Sequence, residues 1–399
     1  MPWKETCAMD ERFLMIGDYR KEAMSVAELS RCYGVSRKTA YKWIDRYEAE
    51  GFAGLEERSH APHVCPHRVG ERITQQVLAV RVAHPSWGPK KIRAWLDERK
   101  PARHWPALST IGELIDAAGL AIHRKRRRRT PASAPFQSCG GPNDVWTTDF
   151  KGWFRTGDAE RCDPLTLSDA HSRYLLRCQA VERADAASVW PVFDAAFREF
   201  GLPRAMRSDN GAPFASRAVG GLSRLSVRLI KAGIIPERIE PGKPQQNGRH
   251  ERMHLTLKRE TASPPAANRR SQQRRFDAFR ETYNEERPHE ALKQTPPARH
   301  YQCSPRRYSG RLREPEYPDA YVVRRVRING EIKWKGSLLF ISEVLTGEPV
   351  GLEQTDEGLW TLHYGPIRLG IIDHRGRLCV PRRGSGDDAQ RTTSSSQAS

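Results

Sequence analysis

The hydrophobic period of this chain changes at Val145. Beyond that point the sequence VWTTDFKGWF and then PLTLSDAHSRYLLRCQAV alternate apolar and polar residues, which is typical of strands. Strands and helical patterns then alternate up to residue 300. Strands followed by alternating strands and helices predict a mixed α/β sheet with helices on its faces.

Helical patterns follow the strands at several places in this region. They include ADAASVWPVFDAAFREFG, SRAVGGLSRLSVRLIKAG, NGRHERMHLTLKRE and the long amphipathic stretch RRFDAFRETYNEERPHEAL. The third of these carries Glu251 as a single acid between His250 and Arg252. Taken alone, that carboxylate is more typical of a surface ion pair than of a catalytic group.

Residues 10 to 50 predict a helix-turn-helix. Ser25 and Glu28 form a capping-box pattern, Gly34 permits a tight turn, and Ser36 can cap the next helix. That helix would present four side chains suited to phosphates and base edges in a major groove: Arg37, Lys38, Tyr41 and Lys42. An ordinary helical hairpin with a solvated basic face fits the same pattern.

A second helical unit is predicted from TQQVLAVRVAHPSWGPKKIRAWLDERK and LSTIGELIDAAGL, and it resembles a second helix-turn-helix. A linker rich in Pro, Ser and Gly follows. It begins with six consecutive cations, Arg124, Lys125, Arg126, Arg127, Arg128 and Arg129. These cations predict a phosphate-tracking arm, and a solvated hinge is compatible with the same residues.

The C-terminal region alternates in short strands separated by turn signals such as Asn329-Gly330, which predicts a small β-barrel. The tail after it is too polar to bury a core and is predicted to be disordered. The predicted organisation is a helix-turn-helix domain (1–58), a second helical DNA-binding domain (59–122), a basic linker (123–142), an α/β catalytic core (143–300), a β-barrel (301–383) and a tail (384–399).

Charge and hydropathy narrow the class of partner. A formal net charge of +19 favours a polyanion, most commonly nucleic acid, although a merely basic soluble protein has the same composition. The mean hydropathy is −0.71, and no run approaches the roughly 18 apolar residues that a spanning helix needs. The N-terminus lacks the apolar core of a signal peptide, so we expect the protein to stay in the cytosol.

Cysteine and histidine usage gives one further candidate site. The eight cysteines never form CxxC and are expected to be reduced. The stretch HAPHVCPH contains four potential zinc ligands, His60, His63, Cys65 and His67. Two prolines in the same stretch favour an extended linker instead, and the sequence leaves the question of a metal open.

Three carboxylates occur where an α/β sheet places reactive groups. Asp149 lies within a predicted strand, Asp209 follows another strand at a turn, and Glu251 lies at the start of a helix. The ends of adjacent strands commonly hold such groups. If the three converge, they supply hard oxygen ligands that suit Mg²⁺ rather than zinc or copper.

The segments WTTDF, RSDNGAPF, PGKPQQNGRHERMHLTLKRE and YNEERPHEAL resemble the core motifs of bacterial insertion-sequence transposases of the retroviral integrase superfamily. The resemblance covers roughly residues 145 to 300 and, less specifically, the tandem helix-turn-helix region. It implies a ribonuclease H-like fold and a DDE triad formed by Asp149, Asp209 and Glu251. Asp169 matches a position that usually gives structural support.

Two departures from the family pattern are visible. Glu251 follows Asp209 by 251 − 209 = 42 positions, which is longer than in the tightest members. The extra residues are expected around AVGGLS, where Gly220-Gly221 tolerate a loop. The N-terminal zinc-binding motif of retroviral integrases is absent from the sequence.

The resemblance also implies a reaction. Two Mg²⁺ or Mn²⁺ ions would support cleavage at an element end by water, which exposes a 3′-OH, and then joining of that 3′-OH to target DNA. The implied partners are double-stranded DNA, as terminal inverted repeats and as target, and further copies of the chain that hold two ends together. Lys258, seven positions after Glu251, is expected to contact a DNA phosphate, or else is simply solvated.

Two other functions remain open at this point. The chain could be a catalytically inactive DNA-binding regulator derived from a transposase. It could also be a ribonuclease H-type nuclease without strand transfer, although the DNA-binding modules argue against that.

Overall fold

The computed structural model describes residues 7–22, 24–58, 68–122, 139–216, 218–239, 248–355 and 357–380. The chain divides into two compact units, Met1–Val69 and Gly70–Ser399. Three predictions lie outside the described residues: the basic run 124–129, the histidine and cysteine cluster at 60–67, and the tail 384–399. Among the described residues, no helix is both long and apolar enough to span a membrane.

In its described residues, the first unit contains three helices and a closing 3-10 turn at Gly51–Leu55. The helices are α1 (Ala8–Arg20), α2 (Val26–Cys32) and α3 (Arg37–Glu50). The predicted capping box forms, with the Ser25 N–H donating to Glu28 Oε2 at 2.9 Å. Gly34 has φ +64°, and the Ser36 hydroxyl accepts from the Thr39 N–H at 3.1 Å, so the predicted turn and second cap are confirmed.

The second helical module comprises α4 (Glu71–Ala83), α5 (Pro89–Arg99) and α6 (Leu108–Ala117). Its core contains the fully buried side chains of Trp87 and Trp105. Arg81 is buried as well, and its guanidinium donates to the carbonyls of Trp87 at 2.6 Å and Leu120 at 2.7 Å. A buried charge is tolerated here because backbone oxygens solvate it, and the three helices are tied together as a result.

A six-stranded mixed sheet follows in the same unit. Its strands are β1 (Val145–Phe150), β2 (Phe154–Arg155), β3 (Arg161–Asp169), β4 (Leu175–Val181), β5 (Ala205–Ser208) and β6 (Ile235–Arg238). The order is β2-β3-β1-β5-β6, with β4 also pairing with β3. β1 pairs with β5 and β5 with β6 in parallel, whereas β1 and β4 run antiparallel to β3.

Helices cover both faces of this sheet, as the sequence pattern predicts. They are α7 (Ala186–Phe200), α8 (Arg224–Lys231), α9 (Gly248–Thr261) and α10 (Arg269–Glu281). Leu165 and Leu167 of β3 pack in one apolar cluster with α7 and α8. Cys162 of β3 and Cys178 of β4 pack with α9 and α10 in another. Alternate strand residues point to opposite faces, so the two helix pairs lie on opposite sides.

Two predicted helices are shorter than the pattern indicates. α8 begins only at Arg224, after a cap from Ser223, because Gly220 and Gly221 adopt positive φ values of 63° and 66°. The α-helix predicted over RRFDAFRETYNEERPHEAL ends at Glu281, and a π-helical turn follows it up to Glu286. The prediction of an α-helix was therefore wrong after Glu281. The buried Asn284 gives the reason, because its side chain exchanges hydrogen bonds of 2.8 and 3.0 Å with the backbone of Leu175 on β4.

The C-terminal region is all-β, but a closed barrel is not observed among the described residues. Its strands are β7 (Val322–Arg325), β8 (Glu331–Trp334), β9 (Ser337–Phe340), β10 (Pro349–Gln354), β11 (Trp360–Tyr364), β12 (Ile367–Ile372) and β13 (Leu378–Cys379). They form an open five-stranded sheet in the order β13-β12-β11-β10-β7 and a separate β8-β9 hairpin. Ile332 and Trp334 of the hairpin share a buried cluster with Leu352 and Leu362 of the sheet.

The packing of α7 on the sheet yields a stability prediction. The Phe197 ring is fully buried and lies 6.0 Å from the Trp146 ring of β1 and 5.6 Å from the Tyr308 ring. We expect Phe197→Ala to lower the free energy of unfolding by about 3–5 kcal/mol, because it leaves a cavity between helix and sheet. Phe197→Leu should cost distinctly less. Denaturant midpoints would measure both, and equal midpoints for Ala and wild type would contradict the packing.

Candidate active site

Asp149 and Asp209 lie at the same edge of the sheet. The parallel register pairs Val145 with Ala205 and Thr147 with Arg207. Asp149 lies on β1 two residues after Thr147, and Asp209 directly follows β5, two residues after Arg207. The carboxyl ends of adjacent parallel strands are where open α/β sheets bind their ligands. Two of the three predicted carboxylates therefore lie at the same end of two adjacent parallel strands.

The environment of Asp209 suits a cation. Its Oδ1 is buried and has no hydrogen-bond partner among the described residues. Burial raises the pKa of Asp209, and a hydrogen bond from the Gly211 backbone N–H partly offsets that rise. A buried carboxylate oxygen without a partner is costly unless a positive charge compensates it. A divalent metal ion would supply that charge, so this residue fits the metal that the sequence motifs imply.

Gly211 keeps the loop close to this carboxylate. A Cβ atom placed on Gly211 would lie 2.9 Å from Asp209 Oδ2, which is closer than Cβ contacts normally come. A side chain at this position would therefore have to displace the carboxylate. In the same loop the Asn210 side chain donates to the Ile239 carbonyl at 2.8 Å, which ties the loop to the end of β6.

A buried polar layer between the sheet and α9 contacts Asp149 from the α9 side of the sheet. The Thr166 hydroxyl on β3 lies 3.1 Å from the Asp149 carbonyl oxygen and 2.6 Å from the Nε2 atoms of both His250 and His254. His250 Nδ1 lies 3.1 Å from the Thr147 hydroxyl. His254 Nδ1 lies 3.8 Å from Asp149 Oδ2. Two imidazoles one helical turn apart thus fix α9 against β1 and β3.

These imidazoles are neutral at physiological pH. Burial lowers the pKa of His250 to about 3. Burial, together with repulsion from His250 and Lys151, lowers the pKa of His254 to about 2. Because the Thr166 hydroxyl has one proton for three neighbours, at least one imidazole must donate to it through an Nε2–H.

Glu251 lies in the first turn of α9, between His250 and His254, and is exposed. The buried face of the helix is formed by His250, Met253, His254 and Leu257. Among the described residues, no three His, Cys, Asp or Glu side chains are arranged to hold a metal ion. Asp149 and Asp209 thus lie at the ends of adjacent parallel strands, Glu251 lies on α9, and the three do not form a metal-binding cluster.

The sequence interpretation missed the layer formed by Thr166, His250 and His254. The signal available was the i, i+4 spacing of the two histidines in HERMH, which lie on one side of a helix. Thr166 alternates with Leu165 and Leu167 along β3, so it faces α9 while they face α7.

Asp169 has the contacts of a structural residue. Its carboxylate accepts hydrogen bonds from the Asn143 N–H at 2.8 Å and from the Ser172 N–H and hydroxyl at 2.7 and 2.6 Å. Burial raises its pKa, and these hydrogen bonds lower it. In the sheet register Asp169 is paired with Trp146, whereas Asp149 is paired with Thr166. The carboxylate thus closes the turn before β4 and ties it to the start of the core.

The residues predicted to contact DNA are placed as follows. Arg37, Lys38, Tyr41 and Lys42 are all exposed on α3, while Ala40, Trp43 and Ile44 of the same helix are buried. Lys258 is exposed on the last turns of α9, two turns from Glu251. The run from Arg124 to Arg129 lies outside the described residues.

Family models match most of the chain. Two models described as "Integrase core domain" match residues 140–244 and 232–297. Two "Homeodomain-like domain" models match residues 8–56 and 39–115. A model described as "IS481 family transposase, C-terminal domain" matches residues 321–378.

Two curated relatives come from bacterial insertion elements. An insertion element IS407 31.7 kDa protein of Burkholderia multivorans is 30% identical over 233 residues, which cover 56% of this chain and 80% of that protein. The chain belongs to the insertion-sequence transposases of the integrase superfamily. An insertion element IS476 39.2 kDa protein of Xanthomonas euvesicatoria is 27% identical over 242 residues, which cover 60% of this chain and 66% of that protein.

Solved structures with some likeness include retroviral integrases. The catalytic core of HTLV-2 integrase in complex with magnesium is 14% identical, covers 41% of this chain and 99% of that chain, and has a TM-score of 0.33. A simian T-cell lymphotropic virus intasome chain is 13% identical, covers 77% of this chain and 100% of that chain, and has a TM-score of 0.37. TM-scores this low carry no argument about the site.

The polar layer under Asp149 gives a matched pair of variants. We expect Thr166→Val to lower the free energy of unfolding by about 1–3 kcal/mol, because it leaves buried imidazole nitrogens without their partner. Thr148→Val is the control, since the buried Thr148 hydroxyl has no hydrogen-bond partner among the described residues. That substitution should be neutral or stabilising. Chemical denaturation of both variants would decide, and equal destabilisation would contradict the role of the Thr166 hydroxyl.

Proposed function

We propose that this chain is an active DNA transposase. In this proposal it cleaves DNA at the ends of its element, exposes a 3′-OH and joins that 3′-OH to target DNA. Asp149, Asp209 and Glu251 act as the metal-binding triad. The observation that carries the proposal is the buried Asp209 oxygen, which has no hydrogen-bond partner among the described residues and lies at the end of the strand that pairs in parallel with the strand of Asp149.

Carboxylate oxygens of these three residues would hold Mg²⁺ or Mn²⁺, two ions for each site, because hard cations prefer oxygen ligands. When bound, such ions supply Lewis-acid stabilisation of the charges that develop on the attacking and leaving oxygens. The role of the chain is to hold the ligands in place. Asp149 lies in a strand and Asp209 directly follows one. Glu251 lies on the exposed face of a helix whose other face is buried.

The same helix also presents Lys258 two turns after Glu251, on the exposed side. We propose that this ammonium contacts a DNA phosphate next to the scissile bond. The exposed cations of α3 and the run from Arg124 to Arg129 would bind the element ends, which agrees with the net charge of +19. Two ends must be held together for joining, so we infer a homo-oligomer on double-stranded DNA.

The triad can be tested with isosteric amides. We expect Asp209→Asn and Glu251→Gln each to reduce strand joining by at least about a thousandfold, equivalent to about 4 kcal/mol of transition-state stabilisation. DNA affinity should stay within about threefold of wild type, since phosphate contacts dominate binding. The assay joins a labelled duplex of the flanking inverted repeat to plasmid DNA in Mg²⁺ or Mn²⁺, and EDTA should abolish the reaction.

The exposed Asp319 provides a matched control for loss of one carboxylate. Asp319→Asn should join ends at the wild-type rate. Wild-type joining by Asp209→Asn or Glu251→Gln would overturn the triad. A wild-type chain that binds the repeat but neither cleaves nor joins it would instead be a catalytically inactive DNA-binding regulator.

The α3 surface can be tested through the salt dependence of binding. Each phosphate contact contributes about −0.9 to the slope of log K against log salt concentration. We therefore expect Lys38→Ala or Lys42→Ala to reduce the steepness of that slope by about 1 on the repeat duplex. Lys21→Ala, which removes an exposed cation from the end of α1, should leave the slope unchanged. Identical slopes for all variants would remove α3 from the DNA interface.

A further inference from the structure

The segment Tyr283–His289, with sequence YNEERPH, joins the second helical module to the catalytic core. Lys91 at the start of α5 donates to the carbonyl of Pro288. Glu286 lies 3.7 Å from His84 and 3.4 Å from Arg99 of the same module. The departure from helical geometry after Glu281 is what presents this segment to the module.

Arg287 is the central residue of this joint between the second helical module and the α/β core. It is only 9% exposed, and its Nη1 lies 2.9 Å from Glu260 Oε1 and 3.3 Å from the Ser86 hydroxyl. The Ser86 hydroxyl also donates to the same Glu260 oxygen. One guanidinium therefore connects the loop before α5 with the carboxylate of Glu260.

Glu260 belongs to the last turn of α9, the helix that carries Glu251 at its other end. An acid at a helix C-terminus is unfavourable, because the unpaired carbonyl groups there already carry partial negative charge. Arg287 compensates this carboxylate from outside the helix. The contact therefore holds the end of α9 at a defined place relative to the second helical module.

On one side of the Arg287–Glu260 contact there is a cavity instead of closely packed side chains. A cavity of about 760 Å³ opens next to Glu260. Its walls come from both sides of the joint, and they include His84, Ser86, Arg259, Arg275 and Phe279. At this end of α9 the ionic contact therefore adds to the packing of the buried Leu257 against Phe276 and Phe279 of α10.

We propose that Arg287 is a positioning residue for strand cleavage. By holding Glu260 against the second helical module, it fixes the placement of α9 and so keeps Glu251 near the strand ends that carry Asp149 and Asp209. The proposal rests on the function proposed above, since Glu251 matters only if the site cleaves DNA. Arg287 itself touches neither DNA nor the reacting atoms in this role.

Two other contacts across the same joint do not involve α9 and provide controls. Arg299 pairs with Glu98 of α5, and Lys90 lies 3.3 Å from Glu290. Arg299→Glu introduces the same charge reversal into the joint as Arg287→Glu does. If the effect on cleavage passes through α9, only the Arg287 variant should show it.

The experiment compares full-length wild type with Arg287→Glu, Glu260→Arg, the double charge swap and Arg299→Glu. Each is given saturating repeat duplex in Mg²⁺. We expect each of the first two variants to cleave at least about tenfold more slowly, because small misplacements of catalytic groups are costly. The swap should recover most of the rate, since it restores an opposite-charge pair. Arg299→Glu should cleave like wild type.

Hydrogen exchange provides a readout that does not depend on cleavage. The amides of Met253 to Leu257 in α9 should exchange faster in both single variants and return to wild-type protection in the swap, while the β1 amides stay unchanged. A general loss of stability would accelerate both sets and would overturn a positioning role. Wild-type cleavage by the single variants, or a swap no faster than the slower single variant, would overturn it as well.

Glu260→Gln covers the case in which Arg287→Glu does not fold. It removes the charge from α9 without burying a new one, and we expect slower cleavage and faster α9 exchange. Wild-type values for both would overturn the proposal. If the wild-type chain itself does not cleave in Mg²⁺ or Mn²⁺, the proposed function fails, and α9 exchange still decides whether Arg287 holds the helix.

Discussion

The carboxylates of Asp149 and Asp209 lie at the same end of two adjacent parallel strands, and the burial of one of them is the constraint that the rest of the site must meet. Thr147 of β1 pairs with Arg207 of β5, two residues before each acid. One oxygen of Asp209 is withdrawn from water without a hydrogen-bond partner in the described part of the chain. This burial disfavours the ionised carboxylate. The sheet thus holds a buried carboxylate that a nearby positive charge would stabilise, and a bound divalent metal ion would supply that charge.

Helix α9 has to satisfy two opposed requirements. Its inner face must bury imidazoles, since His250 and His254 lie in the layer centred on Thr166. Its outer face keeps Glu251 and Lys258 exposed, as their proposed roles toward a metal ion and a phosphate require. An amphipathic helix meets both requirements because residues three or four apart share a face. At its far end, the Arg287–Glu260 ion pair adds a contact with the second helical module through Ser86.

The α/β class, the helix-turn-helix, the place of Asp149 within a strand and that of Asp209 after a strand could be predicted from the sequence, because these follow from local periodicity and caps. Features that depend on contacts between distant segments were not predictable in the same way. The helix predicted through Asn284 stops early because that side chain is bonded to β4. The predicted barrel stays open among the described strands, since strand alternation specifies pairing but not closure. The layer of Thr166, His250 and His254 joins β3 to α9, so its contacts do not follow from the sequence of either segment alone.

The neutrality of the imidazoles has an electrostatic consequence for the site. A histidine that kept its proton beside Asp149 would form an internal ion pair and reduce the field that attracts a cation. Because burial keeps the pKa of His254 at about 2, that neighbour contributes a dipole and not a full charge. His254 therefore adds no full positive charge beside Asp149 at physiological pH. The helix can be anchored to the sheet without diminishing the attraction of that edge for a divalent ion.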